Sequence, residues 1–506
     1  MTRRPLGLRR RLDNLALRVQ ARLDASWADR GLPWLVAAAL FITLLASSLA
    51  ITYQLDGGPG LGVWTQAAWH VRNGDAPFSS LAGIDPVLRQ WSFVAYPVLA
   101  LTRWLAAPEL LAVVQALALA AAVIPLWRIA RDVLSLRVGT TAALVLAYAS
   151  SPAVHAANLS LFHPEVVAVP ALAGAVLCSR RELWVRYWLC IGLVLVCRAD
   201  LGVTVAALGV VGALTGQRRV GMTTAALGAG WTAVAILVLR PVVPSEPLSS
   251  AAAFAAEGTA PLGEIRALFV DPTVALGDLI GQPSLLILTA VLAPLLFLPF
   301  VAPRSLMLAV PPLLFGIAGN EAVQRVRDDP RPAGLLNTSN VVLASAPLVI
   351  AAAVALAQMG RRSITRVNVD HRLVGVLVVA ASVLFVQNAP SSPYQKPWEW
   401  GGRDEVDDAR LDAVDAVDSS VPVTVSPQFG PLVAERATVR ELAVGPPDRP
   451  SRWSPATDMV LLDTNARAVD GRPLWTAGTR NAVTRALTQR GYSVAFARAG
   501  VFAFSR

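Results

Sequence analysis

Apolar runs long enough to cross a bilayer recur from Gly31 to about residue 388 of this 506-residue chain, a pattern that no soluble fold absorbs. The first run, Gly31 to Leu55, holds twenty-five consecutive residues without a charge. That suffices for a helix through a hydrocarbon core of about 30 Å. It lacks a small-residue cleavage pattern and exceeds the apolar core of a signal peptide, so it is expected to remain as an anchor. With 55% hydrophobic and 15% charged residues, the chain belongs to the polytopic α-helical membrane class.

Eight arginines precede the first span, among them Arg9, Arg10 and Arg11, and they hold residues 1–30 in the cytoplasm. The net charge of +10 falls mainly in short loops between spans, where it sets topology, so nucleic acid is not an expected partner. Of 44 basic residues only Lys396 is a lysine, an arginine bias that suggests a GC-rich, actinobacterial source. Cys178, Cys190 and Cys197 lie in or beside apolar spans without CxxC spacing, which argues against a disulfide framework or a zinc site.

The loop charges give a consistent path through residues 31–388. A first outer loop, 56–109, contains Trp91 to Trp104, a run too short to cross and expected to be an in-plane or re-entrant helix. Spans at 110–130 and 138–153 lead to an outer loop with His155 and Phe162 to Glu165 (FHPE). A span at 165–179 returns to Arg180 and Arg181, and a broken hairpin, 186–197 and 201–216, turns at Arg198-Ala199-Asp200. A span at 221–241 precedes an acidic outer loop, 242–283, and spans at 284–302 and 305–319 turn at Arg304. The outer loop from Asn320 to Asn340 carries a charged cluster at 325–331, and spans at 341–359 and 372–388 follow. About eleven crossings place the C-terminus outside. After a linker at 389–402, helix and strand patterns alternate through 403–506, which reads as a small extracytoplasmic α/β domain.

Asp56 ends the first span and is the leading catalytic candidate, a carboxylate at the membrane surface able to take a proton from a hydroxyl. The plainer reading is a polar stop after a helix. Gly57, Gly58, Gly60 and Gly62 follow without a preceding strand or a Lys-Ser/Thr, so they are not a nucleotide loop. His163 and Glu165 are a second acid, metal or substrate candidate, against the reading of Pro164 and Glu165 as a helix start. Arg198 and Asp200 sit between apolar stretches, where ionisable groups are expensive; Arg198 is expected to hold a phosphate, with Asp200 orienting it or binding a metal. Trp64 and Trp69 suit stacking on a sugar, or equally an interfacial aromatic belt.

D-x-G-x-x-x-x-x-W at Asp56 and Trp64, FHPE at 162–165 and the acid of Arg198-Ala199-Asp200 resemble the membrane family DUF2079 over about residues 50 to 390. With a first-loop acid and a C-terminal outer domain, the chain also resembles the GT-C superfamily of glycosyltransferases. The likeness implies transfer of a sugar from a polyprenyl-phosphate donor to a cell-envelope glycan, lipid or protein acceptor on the outer face. Asp56 matches the first-loop catalytic acid, and Glu165 falls where the second outer loop carries another. Where the family pattern has a His before the first-loop apolar helix, this chain has Leu88-Arg89-Gln90-Trp91, so Arg89 joins Arg198 as a phosphate ligand. A divalent cation, Mg or Mn, is the cofactor to be considered. The competing readings are a transporter or flippase for a lipid or small anion and a non-catalytic envelope assembly factor.

Overall fold

The computed structural model describes residues 26–55, 57–160, 162–238, 282–318, 339–362, 366–394, 402–442, 457–465 and 477–506. Asp56, the acids of the 242–283 loop and the cluster at 325–331 lie outside the described residues.

Long apolar stretches become helices because intrahelical hydrogen bonds alone satisfy the backbone where water is excluded. Helix α1 (Ser26–Tyr53) is the first of these. The loop after it folds into α2 (Pro59–Arg72), α3 (Pro86–Gln90) and α4 (Ala95–Leu101). The run Trp91 to Trp104 thus yields one short helix and no crossing, as its length requires. Helix α5 (Ala107–Ala121) continues through α6 (Val123–Arg128) into a π turn at Ile129–Val133. Then come α7 (Val138–Ala149), α8 (Pro152–Leu159), a 3-10 turn at Pro164–Val167 and α9 (Ala168–Arg180). His155 lies inside α8 and not in a loop, because Pro152 restarts the helix at its first position.

Helices α10 (Trp184–Leu195) and α11 (Leu201–Leu214) flank the Arg198 turn, and α12 (Arg218–Val238) packs along α11. The spans expected at 284–302 and 305–319 are instead broken. Helix α13 (Gln282–Leu292) gives way to short turns, α14 (Pro303–Leu306) and α15 (Val310–Ala318). Pro294, Pro299 and Pro303 remove amide donors there, and Leu296 and Phe297 take left-handed backbone angles. Helices α16 (Ser339–Met359) and α17 (His371–Asn388) complete the bundle, joined by the hairpin β1 (Arg361–Arg362) and β2 (Val367–Asn368). Five helical segments among the described residues are long and apolar enough to cross a membrane: 27–53, 107–133, 218–238, 341–359 and 371–388. Helix α16 is the central one, 83% buried against 11% for α17.

Buried ion pairs tie α1 to the far end of α5–α6. Arg131 Nε and Nη2 donate to Asp29 at 2.6 and 2.8 Å, and Arg366 donates to the Arg131 carbonyl at 2.7 Å.

Residues 402–506 build a five-stranded sheet. Helix α18 (Glu405–Asp415), opened by a capping box between Asp404 and Asp407, precedes β3 (Val423–Val425) and β4 (Val439–Glu441). Strand β5 (Met459–Asp463), helix α19 (Ala477–Gln489), β6 (Ser493–Arg498) and β7 (Val501–Ser505) follow. The strand order is β4-β3-β5-β7-β6, parallel among the first three and antiparallel beyond. Its core includes Val423, Val425 and Phe429, and also Val63 of α2 and Leu81, so this module closes its core on the first loop.

Candidate active site

A charged cluster lies at the turn between α10 and α11. Arg198 is fully buried, and its guanidinium grips Asp200 through two bonds, Nε to Oδ1 at 2.5 Å and Nη2 to Oδ2 at 3.0 Å. Asp200 occupies the N-cap position of α11 but makes no capping bond, because its carboxylate is turned onto Arg198. The third donor, Nη1, reaches Glu165 Oε1 at 2.8 Å. His163 Nδ1 stands 3.5 Å from that same oxygen, and its Nε2 is 3.0 Å from Ser160 Oγ. His163, Glu165, Arg198 and Asp200, read from two distant stretches of sequence, are therefore one buried group.

Pro164 opens the 3-10 turn that leads into α9, and that turn carries the Glu165 carboxylate to Arg198. Gln115, a polar residue in the middle of the apolar α5, holds the loop. Its Oε1 accepts from the His163 amide at 3.0 Å and its Nε2 donates to the Ala157 carbonyl at 2.9 Å. The sequence signal for Gln115 is an amide amid an apolar span, where a buried polar group needs partners.

The structure narrows what the other candidates can do. Arg198 has its donors committed to two carboxylates, so it organises the acids and is not presented to a phosphate. Arg89, at the end of α3, is half-buried and no carboxylate among the described residues pairs with it. Trp64 is fully buried and packs edge-on against Phe162 at 5.4 Å, which leaves no open face for a sugar. Trp69 is half-exposed beside His70 and keeps that capacity. Among the described residues no group of three or more His, Cys, Asp or Glu could hold a metal ion. The Glu165 and Asp200 carboxylates share the single positive charge of Arg198.

Beside the cluster runs an apolar groove of about 390 Å³ lined by Trp91, Phe93, Leu227, Gly230, Trp231 and Val234. It lies on the flank of α12, where Leu227 and Val234 are exposed. The Ala199 amide donates to the Gln90 carbonyl at 3.0 Å and the Val94 amide to the Val196 carbonyl at 3.1 Å. These bonds lock the Arg89–Trp91 segment onto the cluster's turn. Trp91 takes a left-handed angle, φ 55°, and packs edge-on to Trp231 at 5.2 Å. Asp85 caps α3 by accepting from the Val87 and Leu88 amides, both at 2.9 Å. Burial raises its carboxyl above the ordinary carboxylate value, against the lowering effect of those amides.

The family described as "Predicted membrane protein (DUF2079)" matches residues 52–502, nearly the whole of the chain. The chain belongs to this family. No curated protein matches the sequence. Among solved structures, ArnT from Cupriavidus metallidurans in the apo state is similar at a TM-score of 0.50 and 13% identity, over 93% of this chain and 98% of that one. ArnT from the same organism bound to undecaprenyl phosphate aligns at a TM-score of 0.41 and 13% identity, over 92% and 97%. The likeness to apo ArnT is one of fold.

Proposed function

We propose that this chain is a membrane glycosyltransferase that moves a sugar from a polyprenyl-phosphate donor to a cell-envelope acceptor on the outer face of the cytoplasmic membrane. The observation that carries the reading is the meeting of three parts in one place. A buried acid cluster, the Arg89 cation, which pairs with no carboxylate among the described residues, and an apolar groove on the flank of α12 share the turn at Gln90 and Ala199. An isoprenoid tail suits the groove, its phosphate suits Arg89, and the sugar then lies toward the acids. The ArnT-like fold supports the same kind of enzyme.

In this mechanism the acceptor hydroxyl gives its proton to Asp56 while its oxygen attacks the anomeric carbon. The bond from that carbon to the phosphate oxygen breaks, its electron pair leaves with the polyprenyl phosphate, and the anomeric centre inverts. Arg89 stabilises the charge growing on the departing phosphate. Arg198 holds Glu165 and Asp200 in place, aimed to orient the sugar hydroxyls. No step is routed through a divalent cation.

The test is transfer by purified protein in nanodiscs supplied with labelled polyprenyl-phosphate sugars, alongside Asp56→Asn. Label is expected to reach the acceptor with wild-type protein and not with the variant. Equal transfer by both would remove Asp56 as the base. Movement of intact lipid across liposomes without transfer would replace the enzyme by a flippase.

A further inference from the structure

Helix α2 stands between two partners, and one residue ties it to each of them. On one side Trp64 meets Phe162, the residue next to His163. On the other, Val63 enters the core of the C-terminal module. Between these faces lies Gln66, fully buried, with its amide saturated. Its Oε1 accepts from Ser79 Oγ at 2.9 Å and from the Leu81 amide at 3.2 Å; its Nε2 donates to Ser80 Oγ at 2.7 Å and to the Arg436 carbonyl at 3.2 Å. Two lone pairs and two N–H groups are all the amide has, and each is used. Ser80 completes the joint by donating to the Val439 carbonyl at 2.9 Å and accepting from the Val439 amide at 2.8 Å, so it pairs with the edge of β4 as a neighbouring strand would.

We propose that Gln66 is a positioning residue of the active site, and that the C-terminal module is the brace that holds α2 and, through Trp64 and Phe162, the loop bearing His163 and Glu165. The proposal rests on the transferase reading above. A fully satisfied buried polar joint is rigid and admits one arrangement, whereas the apolar contacts around it tolerate sliding. Arg72 with Glu435 at 2.8 Å, and Arg403 stacked over Tyr53 at 4.1 Å, add exposed ties of small individual worth. Misplacement of a reacting group by about 1 Å lowers turnover by about a hundredfold, so a brace of this kind reads out in kcat.

Two variants test it from opposite sides. Gln66→Leu keeps the bulk and removes all four bonds. Gly62→Ala leaves Gln66 intact and wedges the joint, because a Cβ there would come within 3.1 Å of the Gly430 and Pro431 backbone. Both are expected to lower kcat, Gln66→Leu by about tenfold or more, with the donor KM changed by less than about threefold. Hydrogen exchange on the full-length protein is expected to speed up at residues 436–442 and also at 162–168. Faster exchange at 436–442 alone, or unchanged kcat in both variants, would overturn the brace. Should Gln66→Leu not fold, Gly62→Ala carries the test. A wild-type protein with no transfer activity would remove the transferase reading, while the exchange pattern would still decide whether α2 links the two regions.

Discussion

Replacing Arg198 by methionine removes the guanidinium and leaves Asp200 and Glu165, 1% and 3% exposed, as two carboxylates without their cation. The long apolar side chain fills much of the volume, so the consequence is electrostatic and not a cavity. Taking one partner from a buried ion pair costs about 3–5 kcal/mol, because the remaining charge stays out of water. That is about two to three and a half orders of magnitude in the ratio of folded to unfolded protein. Here two acids are stranded at once, at 2.5 and 2.8 Å from the lost nitrogens, so the upper part of that range is expected. The triple variant Arg198→Met, Asp200→Leu, Glu165→Leu is expected to be more stable than Arg198→Met alone, since it removes the charges together. Unfolding by SDS in mixed micelles, followed by tryptophan fluorescence, measures both. An Arg198→Met midpoint equal to wild type, or a triple variant below the single one, would refute a buried acid pair held by Arg198.

Arg89→Gln is expected to raise the KM for the lipid donor about tenfold while leaving thermal stability unchanged, with partial recovery in Arg89→Lys, because a half-buried cation that pairs with no carboxylate among the described residues contributes to ligand charge more than to folding; a loss of stability with unchanged KM would contradict this. Gly209→Ala is expected to destabilise the α11–α12 hairpin by about 1–3 kcal/mol, since its Cβ would fall 2.2 Å from the Ala225 amide nitrogen and backbone cannot yield; a denaturation midpoint within error of wild type would remove the close packing. Because burial raises the folded-state value of Asp85, its contribution to stability is present below the ordinary value of 3.8 and is lost as pH rises through the raised one. Asp85→Asn keeps a capping acceptor, so the variant is expected to lose that pH dependence in an unfolding titration between pH 3 and 7; an unchanged profile would assign it to another group.

The sites differ in how far sequence alone reached. Arg198 and Asp200, two residues apart, were readable as a pair because an intramembrane charge demands a near partner. Their third member, Glu165, is 33 residues away, and nothing local announces that the 3-10 turn at Pro164 would deliver it to the same guanidinium. Trp64 was equally readable as a sugar platform or an interfacial anchor; its burial against Phe162 is a packing fact, invisible to composition. Pro294 and Pro299 lie inside the span expected at 284–302 and Pro303 between it and the span expected at 305–319, and their missing amides break the helices there into short turns.

Hydropathy and loop charge suffice for the membrane class and most helix positions, because backbone satisfaction in an apolar medium is a local requirement met residue by residue. The extended runs near residues 423, 459, 493 and 501 were legible for a similar reason, as short β-rich stretches between turn residues. Only the tertiary structure decided that Arg198 serves carboxylates, that no carboxylate among the described residues pairs with Arg89, and that Gln66 meets a carbonyl 370 residues further along the chain. Those outcomes depend on which buried polar groups find one another once water is gone, and that pairing is settled by the packing of distant segments.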